Sequence, residues 1–545
     1  MVTKNILPEY FDVVILGTGL PECIIAAACA RSGLSVLHLD RNDYYGGLWA
    51  SFNLQQIHHW LENESKEGGE IYDSSSFLQD GEKFVAASCR SFVEKIRYDF
   101  DNWKADELDL RLQNIDFQWR KFSLDLLPKI LLSRGNMVKL LCDSSVARYC
   151  EFKSVDRFLC FSSQEDLSPL LVVPCSRGEI FRSDILSTLD KRRIMRFLQN
   201  CIKWRKNDNE TNFWEEYTEK PFGTFIESFG ITGRVKSIIT DTLGILHSSA
   251  NTREGLEAVC EFMESVGRYA DSPFLWTLFG SGELPQGFAR LCALFGGIYC
   301  LNRSVEGFII SNKRIEAVLT EGQRINCKHV ITNRTYLPEQ YLSSMSQKRI
   351  NRTILISDQS ILPDPEKEHI SLLNLVSFEN DASPYLLEVG YEGCAAPKGK
   401  YITHITARSQ CDSYTILNPI VERLFEVAGN VFSFEKEIST VFTDQKPQIM
   451  WSLYFDVAEP LLMLEGIPIN MGIVPCVDEH LNYDLVVCEV RLFKAKKIFK
   501  EFWPDYDFLP PSLSGDDDDE LEKQIDIENF EENDYSSSSR IFEQT

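Results

Sequence analysis

The sequence predicts a mixed α/β (α+β) fold that combines a dinucleotide-binding-type domain with an inserted all-helical domain. Three observations lead to this prediction. Residues 11–16 (FDVVIL) are a continuous apolar run that ends in a glycine loop and precedes a helical pattern, as in a βαβ unit. Residues 178–267 have apolar positions at three- and four-residue intervals, which is typical of amphipathic helices. Strand patterns return after residue 270, so the first domain is discontinuous.

The first element is a strand that we expect to be covered on both faces, because its apolar run does not alternate. Pro21 suits the first turn of a following helix. That helix runs through apolar residues to Arg31, and Gly33 ends it. Residues 35–39 then alternate as a second strand. Together these elements predict a parallel βαβ unit.

The loop between strand and helix has the position of a dinucleotide-binding loop but lacks one of its three glycines. Gly17 and Gly19 occupy the first two positions, whereas Glu22 occupies the third, and Asp40 ends the second strand about twenty residues later. A carboxylate at Glu22 would repel a diphosphate. We interpret the loop as a relic of a nucleotide-binding fold, with bound flavin and a chance match as the alternatives.

The remaining segments set the domain boundaries. Residues 62–81 are polar and Gly/Ser-rich, and we expect 62–110 to be a surface insertion. Strand patterns occur in SVEGFIIS, RIEAVLT, KYITHITA and QIMWSLYFD, followed by a helix near residues 485–499. The sequence thus predicts a first domain over residues 1–176 and 271–508, a helical domain over 177–270 and a disordered acidic tail over 509–545.

Charge and cysteine content exclude several classes of protein. The 545 residues include 56 Lys+Arg and 81 Asp+Glu, a net charge of −25, which argues against nucleic-acid binding. The 16 cysteines form no CxxC pair, and no apolar run reaches the roughly 18 residues of a membrane span. The first residues also lack the pattern of a secretory signal. We therefore expect a reducing, cytosolic compartment.

The sequence contains no recognisable catalytic or metal-binding motif. HExxH, GxSxG and P-loop patterns are absent, and the eight histidines have no ligand spacing. His58 and His59 are adjacent, so a helix would not direct both to one site. We expect neither a metal nor a catalytic constellation, and the chain is predicted not to be an enzyme.

A pair of tyrosines precedes two glycines just after the second strand. The segment RNDYYGG, which contains Tyr44 and Tyr45, resembles the second flavin-contacting loop of glutathione-reductase-type flavoproteins. However, residues 467–484 lack the late Gly-Asp element that such a flavin site also needs. Exposed tyrosines before glycines equally suit a protein-contact loop, because tyrosine combines contact area with a polar tip.

Several blocks of the chain resemble the Rab escort protein and Rab GDP-dissociation inhibitor superfamily. These blocks are DVVILGTGLPE, VLHLDRNDYYGG, LPKILLSRGNMVKLL, RYCEFK and SPFLWTLFGSGELPQGFARLCALFGGIYCLN. The resemblance covers nearly all of the chain outside residues 62–110 and the tail. It implies a flavoprotein-like first domain that uses no FAD and an inserted helical domain.

The resemblance also implies a binding platform for Rab GTPases in the GDP state. The positions that match its motif are Tyr45, Glu283 and Arg290, and Tyr44 and Arg268 are expected to add to this surface. Tyrosine, glutamate and arginine suit an interface centre, since arginine donates paired hydrogen bonds and glutamate accepts them. One departure is Ile298, where the inhibitors carry threonine. The local alternative is an Arg290 that pairs with Glu283 on the surface of one helix.

Two further segments of the resemblance have simpler local interpretations. The segment RYADSPFLW, which begins at Arg268, matches a mobile loop between the two domains, but locally it is a turn that ends a helix. In the helical domain, Phe181 and Arg192 correspond to a phenylalanine and an arginine with which escort proteins contact the α subunit of the transferase. Eleven residues make three helical turns, so both side chains would share one face. The alternative is that Phe181 is a core residue.

The family function requires an apolar groove, because the transfer of a geranylgeranyl chain from water to an apolar site is favourable by on the order of 10 kcal/mol. Our candidates for its lining are Phe225, Phe229, Ile239 and Leu243, although their spacing equally suits a core. We therefore predict a Rab escort function: the chain binds GDP-bound Rab, presents it to the Rab geranylgeranyl transferase α/β heterodimer, shields the geranylgeranyl lipid and contacts membranes transiently. The alternatives are a Rab GDP-dissociation inhibitor and an FAD-dependent oxidoreductase.

Overall fold

The computed structural model describes most of the chain in segments. The described residues are 7–64, 75–98, 118–161, 170–206, 214–243, 250–346, 349–375, 384–426, 446–458, 460–463, 465–474 and 489–510. The predicted acidic tail therefore lies outside the described residues, apart from its first two positions.

The described strands are numbered in chain order. They are β1 (Tyr10–Leu16), β2 (Val36–Leu39), β3 (Ser51–Phe52), β4 (Lys83–Ala86), β5 (Val93–Tyr98), β6 (Leu124–Asp125), β7 (Ile130–Leu132), β8 (Phe152–Ser154), β9 (Arg157–Phe161), β10 (Leu170–Val172), β11 (Phe274–Thr277), β12 (Ile298–Cys300), β13 (Gly307–Ser311), β14 (Arg314–Thr320), β15 (Gln323–Asn333), β16 (Leu342–Met345), β17 (Arg349–Ser357), β18 (Ser371–Asn374), β19 (Tyr385–Val389), β20 (Tyr401–Ser409), β21 (Ile449–Val457), β22 (Pro460–Leu462) and β23 (Met471–Val474).

The described helices are numbered in the same way. They are α1 (Leu20–Arg31), α2 (Leu54–Glu64), α3 (Asn136–Asp143), α4 (Arg177–Arg182), α5 (Thr188–Arg205), α6 (Phe222–Ser228), α7 (Gly233–Ser237), α8 (Thr252–Ser265), α9 (Glu283–Leu294), α10 (Ser413–Leu424) and α11 (Glu489–Phe502). A π-helical stretch, Ile238–Leu243, follows α7 directly. No helix in the described ranges is both long and apolar enough to cross a membrane.

The first sheet is built around β1 and has eight strands in the order β12-β2-β1-β15-β14-β13-β4, with β23 also paired to β15. β1 runs parallel to both β2 and β15, and α1 connects β1 to β2. Val13 to Leu16 are fully buried, because the sheet is covered on both sides. The predicted parallel βαβ unit is confirmed. Helix α1 packs against α9 and α11.

The second sheet has eight strands in the order β10-β9-β18-β19-β20-β17-β21-β5. Its centre is antiparallel, with β17 between β20 and β21, and helix α10 packs on it. The strand patterns near residues 307–320, 401–409 and 449–457 correspond to β13, β14, β20 and β21. The mixed α/β class predicted from the sequence is confirmed.

The expectation that residues 62–110 form a surface insertion is wrong for the strands β4 and β5; residues 65–74 and 99–110 lie outside the described residues. β4 pairs with β13 at the edge of the first sheet, and β5 pairs with β21 at the edge of the second. Both strands are short and largely half-exposed. Short, half-exposed edge strands give only a weak hydrophobic pattern, so the sequence did not predict them.

All regular elements that the structure describes between residues 177 and 270 are helical. The aromatic rings of Phe197, Phe222, Phe225 and Phe229 pack together with centroid distances between 5.3 and 6.3 Å. This cluster joins α5 to α6, and its burial stabilises the helical region.

Gly255 of α8 lies directly against this cluster, and we expect Gly255→Ala to destabilise the protein. A Cβ at Gly255 would lie 2.2 Å from the ring of Phe222. Alanine gains about 1 kcal/mol of helix propensity, but overpacking costs about 1–3 kcal/mol. Urea unfolding should therefore show a lower free energy of unfolding.

Gly178→Ala is the matched control for Gly255→Ala. A Cβ at Gly178 of α4 would meet Arg182 at an ordinary 3.6 Å. Only the propensity gain applies there, so we expect equal or higher stability. A Gly255→Ala protein as stable as the Gly178→Ala protein would contradict the close contact with Phe222.

Candidate functional site

Three of the predicted contact residues line one concave site. Tyr45, Glu283 and Arg290 surround a pocket of about 370 Å³ beside the edge strand β12. The other residues that line it are Tyr149, Gln286, Gly287, Ala289, Ala293, Gly297 and Tyr299. The pocket combines aromatic rings with one carboxylate and one guanidinium, which is a composition suited to protein recognition.

Helix α9 presents both charged groups of the pocket. It begins at Glu283, and Arg290 follows two turns later. Gly287 lies between them, where a Cβ would come within 2.8 Å of Val146. The glycine lets α9 approach the 3₁₀ turn Val146–Tyr149 closely, and this approach brings Tyr149 into the pocket.

Glu283 and Arg290 do not pair with each other. The guanidinium carbon of Arg290 lies 4.4 Å from the centre of the Tyr149 ring, in cation–π geometry. Within the described residues, the Glu283 side chain accepts no hydrogen bond and forms no ion pair. Burial raises the pKa of Glu283, because its half-buried carboxylate is desolvated. The alternative of a helix-surface Glu283–Arg290 pair is therefore wrong.

Tyr45 and Tyr44 point to different surroundings. The Tyr45 ring lies 6.0 Å from that of Tyr299, and burial raises the pKa of its half-buried hydroxyl. Tyr44 instead makes an edge contact with Phe52 at 4.8 Å and packs on the main apolar core. The structure therefore does not bring Tyr44 into the pocket, because its ring packs on Phe52 and the apolar core instead.

The predicted relic loop holds the Tyr45 segment in place. The backbone N–H of Gly46 lies 3.0 Å from Thr18 Oγ1 and 3.1 Å from the Thr18 carbonyl oxygen. Thr18 in turn donates its N–H and its hydroxyl to Asp40 Oδ2, at 2.8 and 2.6 Å. Gly46 has a φ of 98°, which glycine tolerates best. The loop thus positions Tyr45 through Thr18.

The side chains at the dinucleotide-binding positions form hydrogen bonds within the protein. Asp40 also accepts hydrogen bonds from the Asn42 N–H and the Tyr336 hydroxyl, so both of its oxygens are occupied. Glu22 is buried and accepts from Asn333 Nδ2 at 2.7 Å. The Asn333 side chain fills the space beside Gly17, and the Glu22 carboxylate fills that beside Gly19.

A buried carboxylate joins the two segments that carry Tyr45 and Glu283. Asp125 accepts from Ser51 Oγ at 2.6 Å, and from the N–H and hydroxyl of Ser281 at 3.0 and 2.7 Å. Ser51 belongs to the strand that follows the Tyr45 loop, and Ser281 lies just before α9. Ser51 Oγ also accepts the N–H of Gly282 at 2.9 Å. Asp125 therefore fixes these segments relative to each other.

Asp125 should make the protein less stable as the pH rises. Desolvation by burial raises the pKa of Asp125 to about 6, although the hydrogen bonds from Ser51 and Ser281 and the charge of Arg352 lower it. The native state then binds the proton more tightly than the unfolded state, whose pKa is near 3.8. This contribution to the free energy of unfolding is complete below about pH 4 and is lost as the pH rises through about 6.

The Asp125→Asn variant tests the direction of this pH dependence, because an asparagine side chain does not titrate in this range. The wild type should lose up to about 3 kcal/mol relative to the variant between pH 4 and pH 7. Urea unfolding of both proteins across this range measures the difference. A difference that stays constant, or that grows in favour of the wild type, would contradict the raised pKa.

Phe181 and Arg192 do not lie on one helix, and that part of the prediction is wrong. Helix α4 ends at Arg182, and α5 begins at Thr188 with Ser187 as its N-cap. Phe181 is 59% exposed, so the alternative of a core residue is also wrong. Lys191 Nζ donates to the Phe181 carbonyl oxygen at 2.9 Å. This bond links the end of α4 to the first turn of α5, on which Arg192 is exposed.

Two of the four candidate groove residues, Phe225 and Ile239, are core residues in this structure. Phe225 is 1% exposed and Ile239 is fully buried, and Phe229 is half-buried against the same cluster. The side chain of Leu243 lies outside the described residues. Phe225 and Ile239 line no open groove here, because α6 and the π-helical stretch pack against α5, α8 and the second sheet.

Arg268 lies in the connection from α8 to β11 and does not line the pocket. It donates from Nη1 to the Ser133 carbonyl oxygen at 3.2 Å. The following Ser272 and Pro273 are tied by hydrogen bonds to Val155 and Ser133. Helix α8 ends just before Gly267, which has a φ of 87°. The turn that ends α8 lies at Val266 and Gly267, before Arg268, so Ser272 and Pro273 do not end that helix as the local interpretation predicted; they lead directly into β11.

Tyr149, Gln286 and Tyr299 also line the pocket, although the sequence did not predict them. Gln286 follows Glu283 by three residues, so its position on the same face could have been inferred. Tyr149 and Tyr299 come from distant parts of the chain, and no local signal identifies them. The sequence did contain a signal for the start of a new helix at α5, because Ser187 and Asp190 form an N-cap motif.

Comparisons with known proteins agree with this architecture. A family model described as GDP dissociation inhibitor matches residues 7–89 and 100–460. A Caenorhabditis elegans protein named Rab proteins geranylgeranyltransferase component A 1 is 40% identical over 515 residues, which cover 93% of this chain and 96% of that protein. The Drosophila melanogaster component A is 30% identical over 92% of this chain and 90% of the relative.

A solved structure has the same fold. The crystal structure of a Rab GDI from Plasmodium falciparum aligns with a TM-score of 0.64 and 20% identity, over 92% of this chain and 99% of that one. At this identity the alignment supports the fold.

Proposed function

The chain belongs to the GDP dissociation inhibitor family, and from this premise we propose that it acts as a Rab escort protein. It binds Rab GTPases in the GDP form and presents them to the Rab geranylgeranyl transferase α/β heterodimer. It then shields the geranylgeranyl lipid, delivers the Rab to membranes by transient contact, and otherwise stays in the cytosol. Relatives named as component A of that transferase support this proposal over most of the chain.

The observation that carries the proposal is the convergence of Tyr45, Glu283 and Arg290 on one pocket. The Glu283 carboxylate is half-buried, and its raised pKa reflects lost solvation. A partner that donates a hydrogen bond or a positive charge to Glu283 would offset this cost. Arg290 is exposed and its guanidinium carbon lies over the Tyr149 ring, so its N–H groups remain available to carbonyl or carboxylate groups of the partner.

Transferase binding is supported by the exposure of Phe181. An aromatic side chain that is 59% exposed buries apolar area only against a partner. The capping box of Ser176 and Glu179 fixes the short helix that carries it, and the bond from Lys191 fixes its end. A dissociation inhibitor that only extracts Rabs would not need this aromatic, so the exposed Phe181 favours the escort function.

We propose that the chain contributes no chemistry to the prenyl transfer and binds no FAD. In that reaction a Rab cysteine thiolate displaces diphosphate from geranylgeranyl diphosphate and forms a thioether, which is a task for the transferase. The described residues include no cluster suited to a metal ion. Asp40 and Glu22 are engaged within the protein, which argues against the FAD-dependent oxidoreductase.

Lipid incorporation tests the proposed function directly. A GDP-loaded Rab, the transferase heterodimer and labelled geranylgeranyl diphosphate are incubated with and without the chain. Incorporation that depends on the chain supports the escort function. Tight Rab binding without stimulation would instead indicate a dissociation inhibitor, and absorbance near 450 nm in the purified protein would indicate a flavoprotein.

A further inference from the structure

Phe279 lies in the turn between β11 and α9, one helical turn before Glu283. Its φ is 66°, and its side chain is 56% exposed. The left-handed region is unfavourable for a bulky residue and is usually occupied by glycine or asparagine. The next residue, Gly280, also has a positive φ of 99°. The turn therefore has a backbone that suits glycine at both positions.

Comparison with the other residues of positive φ sets Phe279 apart. Nine non-glycine residues in the described chain have a positive φ, and most are polar residues such as Asn302, Asn312 and Lys313. Leu509 is the other large apolar one, and it is 3% exposed. Burial of its side chain can therefore offset the strain at Leu509. Phe279 has little such compensation, because more than half of its surface faces solvent.

The surrounding structure holds Phe279 in this conformation. Ser123 Oγ donates to the Phe279 carbonyl oxygen at 2.5 Å. The preceding residue, Leu278, donates its N–H to the Glu151 carbonyl oxygen at 2.9 Å. On the other side, Asp125 and Ser51 enclose Gly280 so closely that a Cβ there would lie within 2.4 Å of both side chains. The aromatic ring is thus presented on a fixed backbone.

We infer that Phe279 is a further contact residue for the Rab protein, on the surface that continues from the Tyr45–Glu283–Arg290 pocket. Three observations support it: a strained backbone, an exposed aromatic ring and a rigid link to the pocket. The Glu283 N–H donates to the Gly280 carbonyl oxygen at 3.3 Å, which ties the turn that carries Phe279 to the start of α9. Strained residues that their surroundings over-determine cluster at binding sites, and a fixed aromatic loses little entropy on binding. This inference rests on the proposed function.

Phe279→Gly separates a role in binding from a role in folding. Glycine removes the aromatic ring and relieves the positive φ, so the melting temperature should equal or exceed that of the wild type. The dissociation constant for GDP-loaded Rab should nevertheless rise at least tenfold, as measured by fluorescence titration. Phe279→Tyr should bind within about threefold of the wild type, because it keeps the ring.

Lys313→Gly is the matched control. Lys313 is exposed, has a φ of 62° and lies in the β13–β14 turn. Its replacement should relieve strain in the same way and leave Rab affinity unchanged. Wild-type affinity in Phe279→Gly would overturn the inference, and so would an affinity loss accompanied by a lower melting temperature. If the wild-type chain itself binds no Rab, the proposed function fails and this inference falls with it.

Discussion

Arg290→Ala should weaken the binding of GDP-loaded Rab by about 30- to 1,000-fold, the range that corresponds to loss of an interface hot spot of about 2–4 kcal/mol. The exposed guanidinium is oriented by the Tyr149 ring at 4.4 Å and does not pair with Glu283. Truncation removes its donors without breaking an internal salt bridge. Folding stability should therefore change little, and the loss should appear in the affinity. Isothermal titration calorimetry measures it.

Tyr45→Ala and Glu283→Gln should weaken Rab binding through the same pocket. Glu283→Gln keeps the shape of the side chain but removes the negative charge, so we expect a smaller loss of about tenfold. Arg253→Ala is the control, because Arg253 is an exposed arginine of α8 that pairs with Glu257 in its own helix. Equal affinities for Arg290→Ala and Arg253→Ala would show that the pocket is not the Rab-binding site.

Phe181→Ala should abolish productive binding of the transferase and leave Rab binding intact. The side chain is 59% exposed, so its removal creates no cavity in this chain, whereas it would remove an anchor of about 2–4 kcal/mol from the interface. Prenylation of Rab should fall accordingly at limiting transferase. Affinities of the Phe181→Ala chain for each partner, measured separately, distinguish the two effects.

Phe493→Ala is the matched control for Phe181→Ala. Phe493 of α11 is 65% exposed and lies outside the helical segment 177–270, so its truncation should leave transferase binding unchanged. Simultaneous loss of Rab and transferase binding in Phe181→Ala would mean that the helical domain has been disrupted. Full transferase binding by the Phe181→Ala chain would contradict the proposed role of Phe181 and would indicate a dissociation-inhibitor function.

Local patterns predicted the regular elements well where burial is strong and continuous. The FDVVIL run became β1, covered on both faces, and RIEAVLT corresponds residue for residue to β14. The sequence pattern did not predict the edge strands β4 and β5, because they are short and half-exposed. An edge strand is stabilised mainly by the neighbour to which it hydrogen-bonds, and that neighbour lies more than 200 residues away.

The helical domain shows the limit of periodicity as a guide to side-chain position. An uninterrupted helix would align Phe181 with Arg192, but α4 ends at Arg182 and Ser187 caps the start of a separate helix, α5. Periodicity also could not decide between groove and core for Phe225 and Ile239. Both bury their side chains in this structure, since neighbouring helices and a sheet close over them.

The sequence by itself determined the βαβ unit, the family resemblance and the placement of Glu283 and Arg290 two turns apart on one helix, because these features depend on residues close together in the chain. The tertiary structure alone decided what each side chain contacts. Gly287 lets α9 approach the turn at Tyr149, and Arg290 therefore packs on Tyr149 instead of pairing with Glu283. Thr18 and Asp40 likewise hold the Tyr45 loop. Such contacts depend on close packing between distant segments, which sequence periodicity does not encode.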